Sequence, residues 1–159
     1  MSIVKKVNTY LDNEHIHYQL LRHSPSHNSL GSAIASNIPA EQLVKAVVLE
    51  DSEGQKLMAI LPASHKVSLI TLNEMLNKQF HLIKEAALYQ LFTDCDHGAV
   101  PPIAEPYNMD RVYDQYLMQQ PCLYLEAGDH ESLIELTIDE FSRLMQGARP
   151  LHFSHRVFH

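Results

Sequence analysis

The chain has 159 residues, a length that suits one domain with a buried core. Hydrophobic residues make up 45% and charged residues 19%, as in ordinary globular proteins. A formal charge of −7, from 12 basic and 19 acidic residues, argues against a broad surface for coating nucleic acid and leaves room only for a local basic rim. Two cysteines, Cys95 and Cys122, make no disulfide framework, so a reducing, cytoplasmic setting is expected. Met1–Lys6 has no long apolar stretch, and no signal peptide or membrane span is expected there.

Ser2 can cap a first helix with its apolar stripe on Ile3, Val7, Tyr10 and Leu11. Ile16 to Leu21 is rich in strand formers, and Ser29 to Ser36 reads as a short helix of small residues. Pro39-Ala40-Glu41 then turns the chain into a dense apolar run, Leu43-Val44-Lys45-Ala46-Val47-Val48-Leu49, the pattern of a buried strand. Asp51-Ser52-Glu53-Gly54 separates it from Leu57–Leu61, which predicts a hairpin. Thr71-Leu72-Asn73-Glu74 has capping-box spacing and opens a helix to about Lys78. A short strand over Phe80–Ile83 and a helix over Lys84–Phe92 follow.

A loop runs from Thr93 to Tyr107, and strands are predicted at Arg111–Leu117, Cys122–Glu126 and Ser132–Leu136. Thr137-Ile138-Asp139-Glu140 repeats the capping-box spacing and starts a last helix through Met145. These elements make one α+β domain over residues 1–146, a mixed α/β arrangement of helices against a largely antiparallel sheet. Residues 147–159 form a tail without a clear period and are expected to pack loosely.

Two features carry chemistry. Alternation along the strand puts Lys45 on one face with Leu43, Val47 and Leu49, where it either snorkels to water or offers its ammonium to a pocket. The Thr93–Tyr107 loop is long for a compact domain and contains Gly98-Ala99-Val100-Pro101-Pro102. It is either a rigid connector or a ligand loop, in which Gly98, Ala99 and Val100 supply backbone N–H donors while the prolines stiffen the rest.

In order and spacing, these segments resemble the YbaK/ProX family of aminoacyl-tRNA deacylases, related to the editing domain of bacterial prolyl-tRNA synthetase. The carriers are Gly31-Ser32-Ala33-Ile34-Ala35, Gln42–Leu49 with its acidic-glycine turn, Leu57–Leu61, Ala63-Ser64-His65-Lys66-Val67-Ser68-Leu69, Gly98–Pro102, and Leu133–Thr137. The chain departs from the family pattern at Ala46, often polar there, and at Pro101, in place of a hydroxyl residue. Ala127-Gly128-Asp129-His130 stands for a glycine-rich turn.

The resemblance implies hydrolysis of the ester joining a wrong, small amino acid to tRNA. Water is the nucleophile, assisted by a tRNA ribose hydroxyl, and no cofactor or metal is called for. It implies catalytic roles for Lys45, Gly98 and Ala99, and substrate contacts at His130, His65, Leu30, Ile34 and Ile60. Lys66 and Arg22 would add to the basic rim. The implied partners are the aminoacylated 3′ end of tRNA and an aminoacyl-tRNA synthetase, with no membrane. A noncatalytic module binding the same aminoacyl or tRNA end is the alternative. Beside these stand two weaker chemistries, a Cys95 thiol activated by His97 and a metal held within Asp94–His97 or by His15 and His17.

Overall fold

A computed structural model describes residues 4–23 and 37–157. Helix α1 (Lys5–Asn13) buries Val7 and Leu11 at helical spacing, as predicted, with Val4 in the N-cap position. Ser2, Ile3 and the expected helix over Ser29–Ser36 lie outside the described residues. Strand β1 (Gln19–Arg22) starts three residues later than the apolar pattern suggested.

The predicted hairpin is the centre of the sheet. Strands β2 (Leu43–Glu50) and β3 (Lys56–Pro62) pair antiparallel from Val44↔Pro62 to Glu50↔Lys56. Asp51 closes their turn: its Oδ1 accepts the N–H groups of Glu53 and Gln55, each at 2.9 Å. Strand β4 (His65–Val67) follows directly, then α2 (Leu69–Leu76), β5 (His81–Leu82) and α3 (Glu85–Leu91). Helix α2 is capped by Ser68, whose Oγ accepts Thr71 N–H at 3.3 Å. The capping-box spacing had pointed to Thr71 itself; the cap is one Ser-x-x-Thr step earlier.

After the loop, with a 3-10 turn at Glu105–Tyr107, come β6 (Asp110–Asp114), a second 3-10 segment (Gln115–Gln119), β7 (Cys122–Glu126) and β8 (Ser132–Thr137). Helix α4 (Ile138–Leu144) begins with Thr137 Oγ1 accepting Glu140 N–H at 3.3 Å, the predicted cap. The main sheet runs β1-β8-β7-β2-β3-β6, and among the described residues it mixes antiparallel ladders with parallel ones at β2–β7 and β3–β6.

Through residue 157 the tail is built into this scaffold rather than loosely packed. Strand β9 (Arg149–Leu151) adds in parallel to β6, and β10 (Ser154–Arg156) pairs antiparallel with β4. Phe153, between them, is 1% exposed and packs with Leu49, Leu61 and Leu72. Burial of this aromatic side chain helps to dock a short tail whose own sequence period is uninformative.

The sheet separates two apolar layers. One face, with Val44, Val48, Met58 and Ile60, packs against α1, Phe92, Val100, Ile103 and Phe141. The opposite face carries Leu49, Leu57 and Leu61 under α2, and a smaller cluster of Leu43, Ala63 and Leu133. Strand β2 meets β7 only at Leu43↔Tyr124 and Val44↔Leu125, and β5 only at Leu49↔Leu82 and Glu50↔His81. Opposite Ala46, between these two short ladders, the sheet is open.

Candidate functional site

Lys45 stands at the edge of that opening. Its face is that of Leu43, Val47 and Leu49, between the two smaller apolar clusters. The side chain is half-buried, and no ion pair or hydrogen bond reaches its ammonium among the described residues. Burial, and then the nearby Lys66 cation, hold its proton affinity below the ordinary lysine value. Ala46 alternates to the other face and packs with the main core, so its departure from a polar residue does not alter the wall beside Lys45.

The β2–β7 ladder ends at Val44↔Leu125, one residue before Lys45 on β2 and before Glu126 on β7. Glu126 is 1% exposed and makes further contacts within the chain. Sequence reasoning missed it; the signal was a carboxylate ending an apolar strand, Cys122-Leu123-Tyr124-Leu125-Glu126.

From Glu126 the chain turns through Ala127–His130 into β8. Gly128 has φ +111°, and Asp129 Oδ1 accepts the N–H groups of Glu131 and Ser132. His130 is buried, with Nε2 donating to the His97 carbonyl, which leaves Nδ1 without a partner among the described residues. Asp96 N–H reaches the Gly128 carbonyl at 2.8 Å. The Gly98 loop and His130 are thus brought together.

The backbone donors of that loop are already engaged. Gly98, at φ +83°, donates its N–H to Tyr89 Oη at 2.6 Å, and Ala99 donates to the Asp96 carbonyl at 3.1 Å. The expectation of free donors at Gly98 and Ala99 is therefore corrected: a side chain from α3 and a local turn satisfy them. Tyr89 stacks on His97 with ring centres 3.8 Å apart. Gly98 itself is exposed, and Ala99 is fully buried.

His65, on β4, belongs to the Lys45 group. It is 6% exposed, its Nδ1 lies 2.9 Å from Ser154 Oγ, and its ring rests on Tyr116 at 4.6 Å. Burial lowers its proton affinity, Asp114 opposes that, and the Arg156 and Lys45 cations reinforce it. Arg156 pairs with Glu41 at 2.5 Å, tying β10 to the turn before β2. Ile60 is fully buried opposite Ala46, in the main core, on the face away from Lys45. Leu30 and Ile34 lie outside the described residues.

The rival chemistries are not assembled. The Cys95 thiol is pushed up to about 12 by burial, and it contacts Asp94 and Tyr107 while His97 is turned to Tyr89 and Glu85. No group of three or more His, Cys, Asp or Glu able to hold a metal ion occurs among the described residues. Two clefts along α1, of about 540 and 280 Å³, are lined by other residues, including Lys6, Thr9 and Asp94 in the first and Tyr10, Glu14 and Arg143 in the second. No described helix is long and apolar enough to cross a membrane.

A family model described as the aminoacyl-tRNA editing domain matches residues 23–144. No curated protein matches the chain. Among solved structures, a hypothetical protein aligns over 95% of this chain and 100% of its own at 22% identity and TM-score 0.84. A structure described as a candidate trans-editing enzyme for prolyl tRNA synthetase aligns over 95% and 96% at 18% identity and TM-score 0.80. A candidate signal transduction protein from Marinobacter aquaeolei VT8 aligns over 96% of this chain but 31% of its own, at 18% identity and TM-score 0.76. At such identities the likeness is one of fold.

Proposed function

The chain belongs to the aminoacyl-tRNA editing domain family, and from that premise we propose that it hydrolyses the ester joining a small, wrongly attached amino acid to the 3′ end of a tRNA. The observation that carries this reading is the half-buried Lys45 ammonium, without a partner among the described residues, at the opening of the sheet. Ester hydrolysis passes through a tetrahedral oxyanion, and a fixed cation in a sheltered site stabilises that charge more than it stabilises the ground-state ester. Water attacks, the terminal ribose hydroxyl assists, and the Lys45 cation faces the ester oxygens.

On this reading His130 and the Gly98 loop, which are joined through the His97 carbonyl, would supply the remaining substrate contacts. For Gly98 N–H to bind the aminoacyl carbonyl, that oxygen takes the place of the Tyr89 hydroxyl. Selection against large amino acids follows from pocket volume, since one methylene is worth only about 1–3 kcal/mol and exclusion discriminates better than attraction. With a formal charge of −7 the chain lacks a broad RNA surface, and a synthetase supplies the remaining hold on the tRNA.

A panel of mischarged tRNAs, carrying alanine, cysteine or serine, tests the reading. At least one is expected to be deacylated faster than in buffer, with activity lost in Lys45→Ala. A second reading, a noncatalytic module that binds an aminoacyl or tRNA end, draws on one observation: both loop N–H donors are satisfied within the chain. It gains if no substrate turns over while Lys45→Ala still weakens tRNA binding.

A further inference from the structure

Asp114, Ser154 and His65 form a hydrogen-bonded relay that joins the C-terminal strand to the Lys45 group. Ser154 Oγ donates to Asp114 Oδ2 at 2.6 Å and lies 2.9 Å from His65 Nδ1. A hydroxyl has one hydrogen, and here the carboxylate takes it, so Nδ1 must carry the imidazole hydrogen and donate to Ser154. Nε2 is then a lone-pair acceptor, buried and without a hydrogen-bond partner among the described residues. Asp114 is fixed in this arrangement, since it is 2% exposed and also accepts N–H groups of Tyr116, Phe153 and Ser154 at 2.8, 3.2 and 3.0 Å.

A buried acceptor without a donor is costly, and a half-buried ammonium without an acceptor is costlier. The two share a sheet face: Lys45 is registered with Leu61, Ala63 N–H reaches the Leu43 carbonyl at 2.7 Å, and His65 follows two residues later, so lysine's four-carbon stem lets the ammonium move toward a fixed acceptor. We propose that His65 is a positioning residue for Lys45, with the relay from the C-terminal strand presenting Nε2 as the acceptor that holds the ammonium at the opening of the sheet. The inference rests on the reading of Lys45 as the working group. It gives a role to Ser154, which lies beyond the family match ending at residue 144.

The charged surroundings set the pH response. Facing His65 are Lys45 from β2, Arg156 of β10 with its partner Glu41, and Asp114 of β6 with His152 at 3.9 Å, while the Lys66 cation acts on Lys45. Protonation of Nε2 turns the acceptor into another cation against Lys45. Acidification therefore releases the ammonium and lowers activity.

The test uses the full chain with specifically labelled lysine and histidine. Imidazole nitrogen spectra of the wild type are expected to show the Nδ1–H tautomer for His65, and a tautomer mixture in Ser154→Ala. In His65→Leu the Lys45 ammonium is expected to titrate at lower pH than in the wild type, because the acceptor for its charged form is gone. Deacylation by His65→Leu is expected to fall about ten- to hundredfold, the worth of a hydrogen bond to a charged group. His65→Gln keeps an acceptor that does not protonate; it should retain most activity at neutral pH and lose the acid limb of the profile.

An unmoved Lys45 titration in a folded His65→Leu overturns the inference, as does an unchanged acid limb in His65→Gln. A shifted Lys45 titration in a protein that deacylates nothing upholds the positioning role and removes the hydrolase reading instead.

Discussion

Truncation of Asp114 to alanine offers a quantitative check on how the C-terminal segment is held. Its carboxylate accepts four hydrogen bonds, from Tyr116 N at 2.8 Å, Phe153 N at 3.2 Å, Ser154 N at 3.0 Å and Ser154 Oγ at 2.6 Å. The side chain is nearly sealed from water, so the alanine variant leaves four donors short of an acceptor. At about 1 kcal/mol per lost bond after partial rehydration, the expected loss is about 4 kcal/mol. For a chain of this length that is a fall in Tm of about 8–16 °C. Asp114→Asn can keep an oxygen at the Oδ2 position, where three of the four bonds converge, and should lose about a quarter as much. Thermal unfolding followed by circular dichroism measures both, and amide exchange at Phe153 and Ser154 should accelerate first. A fall below about 3 °C in Asp114→Ala, where the lost bonds predict several times that, would mean that Phe153 packing docks the tail without the carboxylate.

Lys45→Met keeps an apolar stem and removes a cation that burial and Lys66 both oppose. It should leave stability within about 1 kcal/mol of the wild type, read in urea unfolding, because relief of the buried charge offsets the loss of a donor to His65 Nε2, while deacylation falls about 10²–10³-fold; a marked loss of stability would identify a structural lysine. Gly128→Ala meets a φ of +111° and would place its Cβ 2.6 Å from Val4 Cγ1. The expected cost is at least about 2 kcal/mol, seen as a lower Tm with early exchange at the start of α1. His65 resists protonation in the folded protein, whereas the unfolded chain protonates it near 6.5. The unfolded state thus takes up the proton first, and stability should fall as pH drops below about 6.5 until the folded imidazole also protonates. Urea midpoints at pH 7.5 and 5.5 measure that slope, which His65→Gln should reduce.

The β2–β3 hairpin was legible because two dense apolar runs flank an Asp–Gly turn, and local chemistry decides such a pairing. The α4 cap was legible for the same reason, since Thr137 and Glu140 are three residues apart. The tail was not: β9 and β10 are short, contain Pro150 and His155, and owe their form to partners far away in sequence on β6 and β4. In the site, Lys45 stood out as a charge among apolar neighbours. Asp114 did not, because a carboxylate at a strand end usually faces water, and only the folded chain reveals that it gathers the tail. The Gly98 loop showed which donors exist but not that Tyr89, nine residues earlier, already occupies one of them.

The short ladder between β7 and β2 has a consequence for how this site can change. Strands β1, β8 and β7 form one panel, β2, β3, β6 and β9 another, and two residue pairs hinge them. Val44, Leu125 and Ile134 pack in one layer behind that junction. A volume change there widens or narrows the slot beside Lys45 without replacing any residue that faces it. If Lys45 is the working group, as proposed, substrate size would be open to retuning from the hydrophobic interior, by residues that no comparison of site-lining positions would single out.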